Sequence, residues 1–590
     1  MTLLSVFVRS GRGAFCAALL ALGGVAHAAE PIALRLIGLN DFHGNLEPAS
    51  LTLTLADPQG DKALRVPAGG AAALAGMVKA LRAGAPHSLM LSGGDLIGAA
   101  PLVSTLFRHE STIEVMNAIG LDAAAVGNHE FDAGAAELKR IARGGCPPPQ
   151  IDAVTTSCTL GPYAGARFPF LAANVVDSGG QALFAPAVIR EFGGVRVGII
   201  GAVTRQTPRL VMSSGITGLR FTDEAAAINR AALRLKAQGV KVIVVTIHEG
   251  GEVGPSGQRA DWNDASCPGA QGPIFNIAKR VTKDVDVIFS AHTHQGYRCV
   301  VDGRVIIQGT SYGRGVSVVD LAIDPKTQDV IPALTRSINL PVLNDQADAA
   351  VRERLAAAQP APYGEVLRSA RADAAIAQMV AKYAEVVAPK AAQPVGLIGG
   401  SFTRGGRVDS PAGRLIADSQ LAATQAPAAG GAQIALMNPG GIRSDLECKG
   451  TPPCTATFGQ IFTMQPFGNS LVVMTLTGAQ LKALLESQQR PGAHEATWLQ
   501  PSAGFTYTWQ SDAAAGERVR EMQLNGQPIV PDRTYRITVN SFLAEGGDAF
   551  NGLSRGGART GGGQDLDALI AYLKAAERSP VTTPRITRLP

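Results

Sequence analysis

Aromatic residues make up only 5% of this 590-residue chain, histidine occurs nine times, and charged residues reach only 17%. No apolar run attains the ~20 residues that a membrane-spanning helix needs, so no membrane span is expected. A net charge of +5 is small for this length and gives no case for a partner made of nucleic-acid polymer. The seven cysteines include no C-x-x-C pair, which speaks against a structural zinc knot. What is abundant is apolar material, 46% of residues, enough for well-filled cores. The chain is too long for one core, and two domains plus a linker are expected.

The N-terminus runs from Arg9 and Arg12 through an apolar stretch, Ala14 to Val25, to Ala26-His27-Ala28. That order is a secretory leader, residues 1–29, and implies an exported protein, periplasmic or extracellular. Beyond Cys16 in the leader, six cysteines remain: Cys146, Cys158, Cys267, Cys299, Cys448 and Cys454. An even number in an oxidising compartment suggests disulfides. Six cysteines allow fifteen connectivities; pairing of sequence neighbours is the expectation.

Between residues 30 and 345 apolar runs alternate with amphipathic stretches. "IALRLIGL", "SLMLS", "AAAV", "FLAANVV", "VRVGIIGAV", "VKVIVVTI", "VDVIFS" and "RVIIQG" read as strands. Helices ended by Gly lie between several of them, and the alternation predicts a layered α/β domain. Residues 346–392 are Ala-rich and read as a helical linker. From 393 to 590 an α+β unit is expected, with Ser410 and Pro411 opening a helix and Asn525-Gly526 turning a hairpin.

The polar residues that follow the strands form a pattern. The first strand leads into "NDFHGN", with Asp41 and His43, and the second into "GGD", with Asp95. The third leads into "GNHEFD", with Asn128, His129, Glu130 and Asp132; "VIVVTI" ends at His248, and "VDVIFS" leads to His292 and His294. The C-terminal ends of parallel strands converge on one edge, where α/β proteins bind ligands. Any one of these histidines alone would read as an ordinary core or surface residue; five strands delivering donors to one edge read as a site. The donors are too many for one four-coordinate ion and suit two divalent ions bridged by a carboxylate. Without thiolate, the set favours zinc, manganese, iron or similar. Such a pair binds phosphoryl oxygen and acidifies water, which points to phosphoester hydrolysis.

The blocks "NDFHGN … GGD … GNHEFD … H … AHTH" resemble the calcineurin-like metallophosphoesterases, and in particular the secreted 5'-nucleotidase/UDP-sugar hydrolase family. Ala291 stands where that family usually has glycine. The resemblance implies one ion on Asp41, His43 and His294, another on Asn128, His248 and His292, and Asp95 bridging them. It implies that His129 meets the phosphate as a catalytic residue, oriented by Asp132, and gives Glu130 no role. It extends to the C-terminal part, where "NPGGIR", "QPFGN" and "NSFLAEGGDAF" match family blocks. By that match Arg443 takes the phosphate, Phe467 and Phe542 clamp the base, Asn469 contacts it, and Asp548 binds the ribose. Arg404 and Arg407 are further candidates for the substrate. A guanidinium suits phosphate because it donates a fork of N–H groups and keeps its charge. By residue type alone each Phe would be core packing; the Gly-rich polar surroundings favour stacking on a base.

The expected architecture is thus a layered α/β calcineurin-like metallophosphoesterase domain, a helical linker and an α+β C-terminal substrate-binding domain. The expected activity is removal of the 5'-phosphate from nucleotides. The alternatives are a 2',3'-cyclic-nucleotide phosphodiesterase, a UDP-sugar or NAD pyrophosphatase, a thiosulfate-ester hydrolase, and a non-enzymatic nucleotide-scavenging protein.

Overall fold

The computed structural model describes residues 30–590 except 49, 50, 59, 61, 62, 148–154, 255–260, 406, 407 and 491–495. The expected leader, 1–29, and Arg407 lie outside the described residues.

The N-terminal part is built on two sheets packed face to face. In the first, Ile32–Leu39, Ser88–Ser92, Ala123–Ala125 and Phe170–Leu171 run parallel, and Gly315–Asp324 returns antiparallel beside Ile32–Leu39. In the second, Val195–Val203, Val242–His248, Val287–Phe289 and Arg304–Gly309 run parallel, with Ala187–Phe192 and Gly296–Val301 antiparallel at the two edges. The two inner faces meet through Leu36, Leu89, Leu91, Val197, Ile199, Val244, Val287 and Phe289. Helices Glu224–Ala237 and Pro273–Arg280 cover the outer face of the second sheet. Helices Ala71–Ala83, Glu110–Ile119 and Gly134–Arg143 contribute to the core on the other side. With both faces covered, the parallel strands are apolar throughout rather than alternating, which is why they stand out in the sequence.

The architecture corrects one expectation. The donor-bearing strands are not edges of a single open sheet: three belong to the first sheet and two to the second. Their C-terminal ends meet at one rim, and the rim carries the candidate centre.

Helices Ala349–Ala357, Tyr363–Ser369 and Ala374–Ala391 follow. Asp373 caps the last of them by accepting from the Ala375 and Ile376 amides at 3.0 and 3.2 Å. Its buried face, Ile376, Val380, Tyr383 and Val387, joins Phe107 on one side and Phe458 and Phe462 on the other in one continuous core.

The C-terminal part has a five-stranded mixed sheet centred on Thr534–Asn540 and a four-stranded sheet ending in Ile586–Leu589. Ser410 caps helix Pro411–Thr424, its hydroxyl accepting from the Gly413 amide at 3.0 Å. Asn525 and Gly526 turn the hairpin with φ of 51° and 75°; Leu524 pairs with Gln527 across them. Both features follow the sequence reading. The disulfides do as well: Cys146–Cys158, Cys267–Cys299 and Cys448–Cys454.

Candidate active site

Asp41, His43, Asp95, Asn128 and His248 are buried at the joint rim of the two sheets, with His292 and His294 beside them, half-buried. Asp41, His43, Asp95, His292 and His294 have φ of 49°, 47°, 51°, 74° and 56°. Positive φ is uncommon for residues with a Cβ and costs about 1–3 kcal/mol each, so five in one place mark a strained site. Backbone bonds across the turns hold that strain: Asp41 N to Gly94 O at 3.1 Å, His43 N to Asp95 O at 2.9 Å and Tyr312 N to Asp41 O at 2.7 Å. Gly127 lies so close under Asp95 that a Cβ there would come within 2.1 Å of the carboxylate.

The imidazoles are oriented. His43 Nδ1 donates to Gly98 O at 2.8 Å and His248 Nδ1 to Gly93 O at 3.0 Å, which leaves each Nε2 lone pair facing inward. There the donors crowd together. His43 Nε2 lies 3.2 Å from His294 Nε2, and His248 Nε2 lies 3.0 Å from Asp95 Oδ2, 3.0 Å from Asn128 Oδ1 and 3.2 Å from His292 Nδ1. His294 Nε2 is 3.5 Å from Asp41 Oδ1. Three triads result, Asp41–His43–His294, His43–Asp95–His129 and Asp95–His248–His292, and Asp95 belongs to two of them. Inward-aimed imidazole nitrogens with carboxylates and a side-chain amide between them fit divalent cations of the zinc or manganese type.

Burial together sets these groups against one another. Burial pushes His43, His292 and His294 down, His292 to about 3. It lifts Asp41 to about 7. Burial also opposes the proton on His248, but Asp95 outweighs it and raises that imidazole to about 9.

His129 stands at the mouth. Its Nδ1 meets Asp132 Oδ2 at 2.8 Å, and its amide donates to Asp95 Oδ1 at 2.9 Å. Burial works against its charge, yet Asp132 and Asp95 together hold its pKa above the usual value. Geometry also groups His129 with His43 and Asp95, so distance alone does not separate it from the ligand candidates.

A cleft of about 410 Å³ opens from this centre toward the C-terminal part. Asp95, Asn128, His129, Asp132, His292 and His294 line one side, and Arg443, Phe467, Asn469, Phe542 and Asp548 the other. The Phe467 ring lies 5.8 Å from that of His129 at 24°, and the Arg443 guanidinium is 5.8 Å from the Phe467 ring. Both Phe rings are half-buried, unlike the buried Phe458, Phe462, Phe505 and Phe550 nearby. The Phe542 ring rests on Gly547, where a Cβ would come within 2.5 Å of it. Asp548 accepts from Asn438 Nδ2 at 2.8 Å, and burial raises its pKa. Arg443 Nε is buried and has no hydrogen-bond partner.

Arg404 borders a neighbouring cavity together with Arg443. It lines no part of this cleft; its amide and guanidinium are engaged by Asp445 at 2.7 and 3.9 Å, and its Nη1 donates to Ile442 O at 3.0 Å. Two residues without an expected role prove structural to the site. The Glu130 carboxylate is buried and accepts from the amides of Asp95 and Leu96 at 2.9 and 2.8 Å and from that of Gly127, pinning the loop that presents Asp95. Asn40 donates to Asp41 Oδ2 at 2.6 Å. Their position inside the "NDFHGN" and "GNHEFD" blocks was the available signal.

Donors at the rim of a two-sheet α/β domain, facing a cleft closed by a second domain, define a two-domain protein of the metallophosphoesterase type. The C-terminal part matches the sequence family "5'-nucleotidase, C-terminal domain" over residues 388–555. A protein of Treponema pallidum named "Probable 5'-nucleotidase" is 28% identical, with 92% of each chain covered. The crystal structure of a 5'-nucleotidase precursor from Thermus thermophilus superposes with a TM-score of 0.71 at 27% identity, covering 95% of this chain and 99% of that one. Residues 388–555 thus form a 5'-nucleotidase C-terminal domain, and the chain as a whole is similar to 5'-nucleotidases. An endonuclease of Bacillus subtilis is 32% identical over 92% of this chain, which spans 40% of that relative's length.

Proposed function

We propose that this protein is a metal-dependent phosphohydrolase that removes the 5'-phosphate from nucleoside monophosphates. One observation carries the reading: the inward-aimed donor cluster and two half-buried phenylalanine rings line the same cleft. Asp41, His43 and His294 would hold one divalent ion and Asn128, His248 and His292 the other, with Asp95 between them. Bound there, such ions supply Lewis acidity toward the phosphoryl oxygens and lower the pKa of water.

The chain's own residues do the rest. Asp132 fixes the ring of His129, so that its Nε2 donates toward the phosphate or protonates the leaving 5'-oxygen. Arg443, with its Nε still unpaired, answers the phosphate charge. Phe467 and Phe542 hold the base between them, Asn469 contacts its edge, and Asp548 receives the ribose hydroxyls. Residues 30–345 would supply the chemistry and 393–590 the recognition, with 346–392 between them. We place the protein outside the cytoplasm, a reading that the three disulfides support. No helix among the described residues is long and apolar enough to cross a membrane.

The test is phosphate release from AMP by the purified protein before and after chelation and metal restoration, alongside UDP-glucose, NAD and 2',3'-cyclic AMP. Chelator-sensitive turnover of AMP above the others is expected. Metal-free turnover, or preference for a cyclic or pyrophosphate substrate, would overturn the assignment.

A further inference from the structure

His292 and His294 are offered by a single turn, yet they face different donors. His292 Nδ1 lies 3.2 Å from His248 Nε2, while His294 Nε2 lies 3.2 Å from His43 Nε2 and 3.5 Å from Asp41 Oδ1. Both histidines have positive φ, 74° and 56°, a conformation that residues with a Cβ keep only where the surroundings impose it. Thr293 stands between them, and the nucleotide reading leaves it without a task.

Its hydroxyl is fully used. The one proton goes to the Gly251 carbonyl at 2.8 Å, and the oxygen accepts from Gln308 Nε2 at 3.2 Å. Gly251 lies just beyond the strand Val242–His248, and Gln308 is buried on the strand Arg304–Gly309. Those two strands flank Val287–Phe289, the strand from which the histidine turn leaves. The turn rests directly on the first of them. A Cβ on Gly250 would come within 2.2 Å of the Ala291 carbonyl oxygen and 2.5 Å of Thr293 Oγ1, and the Ala291 amide donates to Glu249 O at 3.2 Å. One hydroxyl therefore anchors the turn to the neighbours on both its sides.

The same turn touches both donor sets by backbone as well as by ring: the His292 amide donates to the Asp41 carboxylate at 3.0 Å, although its imidazole faces His248. Resting on the two-ion reading of the centre, we propose that Thr293 is a positioning residue for both ions at once. It holds no ion itself. Its hydroxyl sets the angle at which His292 and His294 are presented, so neither donor set is adjusted without the other. Valine in its place would keep the shape, turn a methyl toward the Gly251 carbonyl and the buried Gln308 amide, and leave both bonds unmade.

The experiment loads wild type, Thr293→Val, Thr293→Ser and Gln308→Leu with zinc and titrates each with a chelator. Elemental analysis counts the ions retained per chain, and the thermal midpoint is recorded in excess zinc. Thr293→Val is expected to weaken retention of both ions by about 10- to 100-fold, as loss of an outer partner of metal ligands does, with its midpoint in excess zinc unchanged. Thr293→Ser keeps the hydroxyl and should retain zinc like the wild type, while Gln308→Leu removes one of the two anchors and should shift retention in the same sense as valine. Wild-type retention in both Thr293→Val and Gln308→Leu would overturn the proposal. Equal loss in Thr293→Ser would do so too, since packing of the methyl would then be what matters, as would release of one ion with the other held as before. A wild type that binds no divalent ion would end the two-ion reading itself.

Discussion

Asp95 and Phe467 border one cleft and are held in opposite ways. Asp95 is buried, sits at positive φ, and is fixed by a loop whose amides Glu130 gathers. Phe467 is half-buried, next to Gly468 and a guanidinium with an unpaired nitrogen. The N-terminal side of the cleft carries most of the backbone strain, although Asp548 on the C-terminal side also has a φ of 51°; the C-terminal side keeps half-buried rings and an unpaired guanidinium nitrogen for a ligand to complete. On the proposed reading, chemistry that needs atoms held to fractions of an ångström would sit on the first, and recognition of flat, variable groups on the second.

That contrast can be broken by substitution, and the largest effect is expected at Asp95. Asp95→Ala should lose bound metal and activity together, because the residue belongs to two donor triads; elemental analysis beside AMP turnover checks it, and an active variant with full metal content would refute the shared role. His129→Ala comes next, with metals retained and kcat lower by about 10²–10⁴-fold, the range for a positioned acid or charge-stabilising group. Loss of metal from that variant would instead place His129 among the ligands. Asp132→Asn should be milder, since it disturbs orientation and leaves the imidazole.

On the other side of the cleft, Phe467→Ala or Phe542→Ala should lower kcat/KM for AMP by about 5- to 150-fold, one stacking contact's worth, while a small alkyl phosphate is turned over as before. Equal loss on both substrates would make the rings packing residues. A further substitution tests the support of the rigid side: Glu130→Gln puts an amide where amides donate, and should weaken metal retention about 10- to 100-fold, as outer partners of ligands do. Competition with a chelator measures it, and unchanged retention would show that the loop holds itself.

The sequence displayed the parallel strands and their terminal donors because strands buried on both faces are written as unbroken apolar runs. Ile32–Leu39, Val195–Val203 and Arg304–Gly309 have the bounds that pattern predicts. Ala187–Phe192 escaped because an edge strand half-open to solvent shows neither a run nor a clean alternation. Gly315–Asp324 is absent from the expected strands although its run is apolar, and nothing local states that it turns back beside Ile32–Leu39. Hence the pairing into two sheets was not legible. Glu130 was passed over because a carboxylate is ordinarily a surface group; only the fold reveals the backbone amides around it. For Arg404 nothing in the sequence signalled that its amide donates to Asp445 and its guanidinium to the Ile442 carbonyl.

The helix Ala374–Ala391 has a bearing on how the whole molecule comes apart. Its one apolar face is shared between residues of both halves, with Phe107 and Tyr383 rings 4.8 Å apart on one side and Phe458 on the other. Neither half can be peeled away without opening that seam to water, so melting should register in a calorimeter as a single cooperative transition rather than two, and the cleft should lose both its walls at the same temperature.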